Sequence, residues 1–251
     1  ALVLLETRGL SKNFGGLAAV SDLSFQIEAG EIRGLIGPNG AGKTTIFNLI
    51  SGFYRPDKGE ILYQEENIAG LKMSEIARKG IVRTFQATTL FQEFTTLENV
   101  MVGRFLHTRS NVFTALFGTA RKSERENERK ALDILEFLGL AERKDDLAAN
   151  LAYGHQRALG IAIALAADPK LIMLDEPFTG MNLEETRHMM GLIRKVRDQG
   201  VTVLLVEHDM QAVMGLCERI TALNFGRLLA EGTPDEIRAN KDVIEAYLGA
   251  G

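Results

Sequence analysis

The stretch Gly37-Pro38-Asn39-Gly40-Ala41-Gly42-Lys43-Thr44 decides how this chain is read. It fits G-x-x-x-x-G-K-[ST] and lies between a β-like run, Glu31 to Ile36, and a helical run, Thr44 to Ile50, that Ser51-Gly52 stops. The pattern needs that order of strand, loop and helix. Its glycines let successive backbone amides curl around phosphate oxygens, and the start of the helix adds partial positive charge. Lys43 is then placed to reach the outer phosphates and the Thr44 hydroxyl to ligate magnesium, with Thr45 beside it. A nucleotide bound with magnesium is the ligand this implies.

A second stretch supports the first. Leu171-Ile172-Met173-Leu174 reads as an apolar strand that delivers Asp175 and Glu176 at its end, where ligands sit in open α/β sheets. Alone, such a run would read as a strand ending in a solvated acidic turn. With a phosphate loop present, Asp175 becomes the candidate to hold magnesium, directly or through water, and Glu176 the candidate to orient and polarise an attacking water.

Working outward, β-like runs at Val20 to Ile27 and Gly59 to Tyr63 flank the phosphate loop. Ile81 to Phe85 is strand-like and is followed by Gln86. From about Ala87 to Asn150 the pattern turns helical, opening with Thr95-Thr96-Leu97-Glu98, a capping box. Arg121 to Lys130 mixes Glu with Lys and Arg and predicts a solvated helix face, before Ala131, Leu132, Ile134, Leu135 and Leu138 recur at helical spacing and Gly139 stops the run. After Pro169 strand and helix alternate again: helix Leu183 to Gln199, strand Val201 to Val206, helix from Met210, strand Ile220 to Asn224, and a last helix opened by Thr233-Pro234-Asp235-Glu236. That alternation predicts a mainly parallel sheet covered by helices.

Composition narrows the function class. The 251 residues are 45% hydrophobic and 25% charged, which fits a globular chain with a substantial core and excludes disordered or collagen-like readings. A net charge of −4 supplies no basic field for nucleic acid or an anionic membrane, so no nucleic-acid partner is expected and a membrane role must pass through a protein partner. No apolar stretch approaches the ~18 residues of a spanning helix. The start, Ala1-Leu2-Val3-Leu4-Leu5-Glu6, lacks the pattern of a secretory signal, and a cytosolic protein is expected. Cys217 is the only cysteine and is expected to be a buried, inert thiol.

Taken in order, the phosphate loop, Gln86, the segment Leu151-Ala152-Tyr153-Gly154-His155-Gln156-Arg157, the acidic strand and His208 resemble an ABC ATPase. The segments Gly80 to Gln86, Leu97-Glu98-Asn99-Val100, Asn150 to Gly154, Gly180-Met181-Asn182 and the tail from Gly232 to Gly249 resemble the Liv-type ATPases of branched-chain amino-acid importers, nearly end to end. The resemblance implies a P-loop NTPase (RecA-like) α/β core with a mainly parallel sheet, an N-terminal antiparallel β portion and an inserted α-helical subdomain. The implied divisions are 1–86 and 161–231 for the two parts of the core, 87–160 for the helical subdomain with the signature segment, and 232–251 for a C-terminal helical tail.

It also implies a mechanism. ATP and Mg2+ on the phosphate loop of one subunit would be capped by the signature segment of a second, identical or paralogous subunit, through Leu151, Ala152, Tyr153, Gly154, His155 and Gln156. Phe14 would stack on adenine, Gln86 would sense magnesium and the γ-phosphate, and His208 would contact that phosphate during hydrolysis. Asn182 would touch the opposite subunit. The insertion around Ala87 to Gly103 would receive helices from permease subunits at the cytoplasmic face of the inner membrane, with a solute-binding protein acting indirectly. The signature departs from L-S-G-G-Q: Ala152 and Tyr153 stand where serine and glycine are general, His155 stands at the usual Gln, and Ile163 stands where Arg is frequent. Capping would then rest mainly on the Gly154 amide and the helix it opens.

Rival readings explain less. A GTPase would need N-K-x-D, and Asn240-Lys241-Asp242-Val243 fails at the fourth position. A small-molecule kinase leaves the signature and His208 unexplained, and ABC ATPases of DNA or ribosomes usually carry two cassettes or long coiled coils. An exporter ATPase, and amides or other small polar solutes as cargo, stay open.

Overall fold

The computed structural model describes residues 2–84, 90–107 and 120–248, except for the side chains of 105–107, 120–124 and 248. Its centre is β3 (Ile32–Ile36), five consecutive buried residues. On its two sides lie β8 (Thr202–Val206) and β9 (Arg219–Asn224), both parallel to it. Beyond β8 come β7 (Leu171–Asp175) and β6 (Ile81–Thr84), also parallel. β10 (Arg227–Gly232) closes the other edge, antiparallel to β9, so the order is β10-β9-β3-β8-β7-β6.

The apolar runs are continuous because both faces of this sheet are covered. Ile172, Leu174, Val203 and Leu205 point into one core. Its cover includes α5 (Tyr153–Leu165), α6 (Leu183–Asp198) and α7 (Met210–Leu216). Leu171, Met173, Leu204 and Val206 point into the other core, with α1 (Lys43–Ile50) and a second sheet. That sheet is antiparallel, in the order β2-β1-β4-β5, from β1 (Val3–Phe14), β2 (Leu17–Glu28), β4 (Lys58–Tyr63) and β5 (Glu66–Asn67). The expected mainly parallel sheet and antiparallel β portion are both present. Short α2 (Met73–Arg78) precedes β6.

Outside the sheets, α3 (Thr96–His107) and α4 (Ala120–Phe137) form the helical part, and the Thr95–Glu98 capping box is made in both directions. The solvated face predicted for Arg121 to Lys130 needs one correction: Asn127 is buried and accepts from Arg104 Nε. Arg104 is buried between the two helices and the end of α5, and its need for acceptors draws a polar residue inward. The tail folds as α8 (Pro234–Ala239), capped reciprocally by Thr233 and Glu236, and α9 (Lys241–Leu248). Among the described residues no helix is long and apolar enough to cross a membrane. Cys217 is buried and burial pushes its thiol up to about 12, as an inert thiol requires.

A buried ion pair lies in the central sheet. Arg33, on β3, is 1% exposed and donates to Glu31 at 2.9 Å and to Glu231 on β10 at 2.5 Å. Replacing Arg33 with leucine would strand the buried Glu31 carboxylate without its partner. The expected loss of stability is about 3–5 kcal/mol, read as a lowered urea midpoint; an unchanged midpoint would show that the pair contributes no net stability.

Candidate active site

Strand register builds the site. Leu35 on β3 and Asp175 on β7 both pair with Val206 on β8, so the chain leaves three adjacent parallel strands at one edge. Gly37, Glu176 and His208 emerge there together, at the carboxyl ends where open α/β sheets bind ligands. The loop 37–42 is held from outside by backbone. Gly226, in the β9–β10 turn, donates to Ala41 O at 3.0 Å, and Ser21 donates to Gly226 O at 2.8 Å. Two glycines are required by contact: a Cβ on Gly37 would lie 2.5 Å from Leu223 O, and one on Gly42, whose φ is +98°, would lie 2.5 Å from Ala19 O. Any other residue would push the loop off its supports.

Lys43 folds back over this loop. It is buried, and Nζ donates to Gly37 O at 2.6 Å and to Pro38 O at 3.0 Å. Burial pulls its ammonium below the usual lysine range, with the Glu176 charge opposing. A buried cation whose hydrogen bonds go to neutral carbonyls is a group waiting for an anion. Thr44 is exposed and Thr45 half-buried in the first turn of α1.

Opposite the loop, the Asp175 carboxylate accepts from Arg83 at 2.6 Å through Oδ2. Glu176 has φ +49°, the left-handed region that a glutamate enters only under constraint. That turn is fixed by its N–H on Val206 O at 2.9 Å. Its two carboxylate oxygens then meet His208 Nε2 at 2.9 Å and Thr179 Oγ1 at 3.2 Å. The pair expected from sequence, Glu176 and His208, is therefore assembled in one chain.

Behind this pair lies Glu207, which sequence reasoning missed. It is buried, accepting from Phe178 N at 2.7 Å and His208 N at 3.0 Å, and so ties the turn after β7 to the turn after β8. An acid closing an apolar strand beside a histidine was the available signal. Arg83, a cation inside the β6 run, has a meaning that depends on what lies across the sheet.

The remaining candidates are dispersed around this edge. Phe14, at the tip of β1, is 40% exposed, packs edge-on against Tyr54 at 5.0 Å and carries the Lys12 ammonium 5.5 Å over its ring. In the signature, Leu151 is buried, Ala152 and Tyr153 are exposed, and Gln156 donates back to Ala148 O and Leu151 O. Tyr153 donates to Thr179 O at 2.9 Å, so the signature rests on the turn that carries Glu176. His155 has a buried Nδ1 with no hydrogen-bond partner among the described residues, and burial, then Arg143 and His188, lower its pKa. Asn182 caps α6, accepting from the N–H groups of Glu184 and Glu185. Gln86 lies outside the described residues.

A magnesium nucleotide fits these residues. The loop and Lys43 offer donors without an anion. The Asp175 carboxylate at the strand end beside the loop is of the kind a magnesium nucleotide uses, with phosphate oxygens and water filling the rest of the shell.

The sequence pattern of the family described as ABC transporter matches residues 20–179. The chain belongs to the ABC transporter family. A second pattern, described as branched-chain amino acid ATP-binding cassette transporter, matches residues 227–251 of this cassette. The cassette is 47% identical over 249 residues to the high-affinity branched-chain amino acid transport ATP-binding proteins LivG of Salmonella typhimurium and BraF of Pseudomonas aeruginosa, covering 98% of each chain. It is 35% identical over 246 residues to the lipopolysaccharide export system ATP-binding protein LptB of Acidithiobacillus ferridurans, covering 98% of this chain and 97% of that one. Among solved structures it superposes on an ABC transporter cassette in its ADP conformation with TM-score 0.89 at 30% identity, covering 99% of this chain and 100% of that one.

Two predictions test the geometry. Burial pushes the Glu207 carboxyl above the usual glutamate range, against the pull of the Phe178, His208 and Asp209 N–H groups. The folded chain thus holds this proton more tightly than the unfolded chain, so the linked stability is present below the ordinary glutamate pKa and lost as pH rises through the raised value. Glu207→Gln, which leaves an N–H facing an amide NH2, is expected to cost about 1–3 kcal/mol at mildly acidic pH. The gap should narrow toward neutrality in urea titrations; a gap that widens would reverse the sign. For Lys43→Met, the empty protein should melt near the parent temperature. The parent should gain about 2.7 kcal/mol from magnesium nucleotide at a hundred times its Kd and the variant nothing, read by thermal unfolding.

Proposed function

We propose that this cassette is the ATP-hydrolysing subunit of an importer that takes up branched-chain amino acids or closely related amino acids and amides. The observation that carries the cargo class is the 47% identity along essentially the whole chain to transport ATP-binding proteins named for branched-chain amino acids. The lower identity to a lipopolysaccharide export protein favours import over export. The chemistry is carried by the Glu176–His208 pair beside Lys43.

The residues act as follows. Gly37, Pro38, Asn39, Gly40, Ala41 and Gly42 wrap the phosphates, and Lys43 exchanges its carbonyl partners for the β- and γ-phosphates. Thr44 and Asp175, with Gln86, would hold magnesium, which would supply charge neutralisation on the phosphates. Glu176 orients water against the γ-phosphate, and His208, already bonded to Glu176, contacts the phosphate as charge develops. Phe14 stacks on adenine once the Lys12 ammonium over its ring moves aside. A second cassette, identical or paralogous, closes over the nucleotide with Leu151, Ala152, Tyr153, Gly154, His155 and Gln156, and Asn182 lies at that interface. A related cassette, 26% identical with TM-score 0.77, is a dimer in a post-hydrolysis state bound to ADP and Pi.

Closure reaches the membrane through the helical subdomain. A groove of about 540 Å3, lined by Met73, Ala77, Val82, Phe91, Val102 and Ile163, lies between the core and α3, and permease helices at the cytoplasmic face of the inner membrane occupy it. Because ATP binds the closed pair better than the open one, its differential affinity biases the two states of the permease. The solute-binding protein acts through the permease.

Glu176→Gln is expected to keep magnesium ATP binding, lower turnover by about 10²–10⁴-fold and accumulate dimer, followed by phosphate release and sedimentation. Unchanged turnover would remove Glu176 from its role. For the cargo, the cassette reconstituted with its permease and binding protein should hydrolyse ATP faster with leucine, isoleucine or valine than without solute. Stimulation only by a lipid would assign export instead.

A further inference from the structure

Arg83 is the third residue of β6, pairing in register with Met173 of β7, two residues before Asp175. Its side chain is 9% exposed and its guanidinium holds three elements at once. One terminal nitrogen donates to Asp175 Oδ2 at 2.6 Å, the other donates to Asn48 Oδ1 on α1 at 2.6 Å, and the group lies 5.5 Å from the centre of the Phe47 ring. Asn48 and Phe47 belong to the helix that the phosphate loop opens. The Asp175 side chain is itself 14% exposed, and its Oδ1 has no hydrogen bond among the described residues.

We propose that Arg83 is a positioning residue for the metal-bearing carboxylate, clamping Asp175 through Oδ2 to the phosphate-loop helix and leaving Oδ1 to the magnesium nucleotide. The inference rests on the assignment of Asp175 above and adds the group that orients it. Two anchors independent of Asp175 keep the guanidinium in place, so it is a fixed donor and not a counter-ion that leaves. Outer partners of this kind set ligand orientation and typically govern metal affinity by about 10–100-fold. Arginine suits the task because its planar fork serves two acceptors in different directions, which a lysine ammonium on a flexible stem does poorly.

The test is calorimetric binding of the non-hydrolysable analogue AMP-PNP to the full chain, with Mg2+ and with EDTA. The parent should bind more tightly with Mg2+. Arg83→Met should lose about 10–100-fold of that metal-dependent gain while its EDTA affinity stays at the parent value, and Arg83→Lys should recover part of it. In an Asp175→Asn background, which lacks the gain already, adding Arg83→Met should change nothing further. Binding by Arg83→Met with Mg2+ as tight as the parent, or tighter, would overturn the proposal. If Arg83→Met fails to fold, Arg83→Lys decides: full parent affinity together with loss in Asp175→Asn overturns it. A parent without metal-dependent gain, or an Asp175→Asn variant that keeps it, would sink the Asp175 assignment itself and Arg83 with it.

Discussion

A buried ammonium without an anion is the constraint around which this protein is built. Lys43 spends its hydrogen bonds on the carbonyls of Gly37 and Pro38, and burial already lowers its pKa. A cation so placed is less well compensated than one paired with an anion. The empty fold tolerates this because the loop cannot relax: Gly37 and Gly42 are pressed against Leu223 O and Ala19 O, and the β9–β10 turn grips Ala41. Phosphate oxygens are the partner proposed here to supply the missing charge.

The acidic half of the site is held with the same economy. Three parallel strands in register bring Asp175, Glu176 and His208 to one edge, and buried charges behind them fix the turns. Glu207 staples the turn after β7 to the turn after β8, while Arg83 joins β6, β7 and α1. Tyr153 and Thr179 extend the network from Glu176 to the signature segment.

Much of this was legible in the residues. β3, β7 and β8 were readable because strands buried on both faces are continuous apolar runs, and the phosphate loop because its glycines and Lys-Thr stand at fixed spacing. β1 was not read: its register shifts around Leu10 and the left-handed Gly9 break the alternation that marks a strand. β5 and α2 are too short to show a period. Arg83 and Asn48 carry no local signature, since each acquires its role from a partner distant in sequence; only register reveals it. The capping boxes at Thr95 and Thr233 were readable because their partners lie three residues away.

The central claim is that the loop and its lysine are preformed and that nucleotide replaces carbonyls as the partner of Lys43. A crystal structure of this chain with magnesium and a non-hydrolysable ATP analogue tests it most directly. The expected result is a Gly37 to Thr44 backbone within about 1 Å of its present path, with Nζ of Lys43 moved from Gly37 O and Pro38 O onto phosphate oxygens. A lysine still bonded to both carbonyls, or a loop rebuilt around the nucleotide, would contradict it.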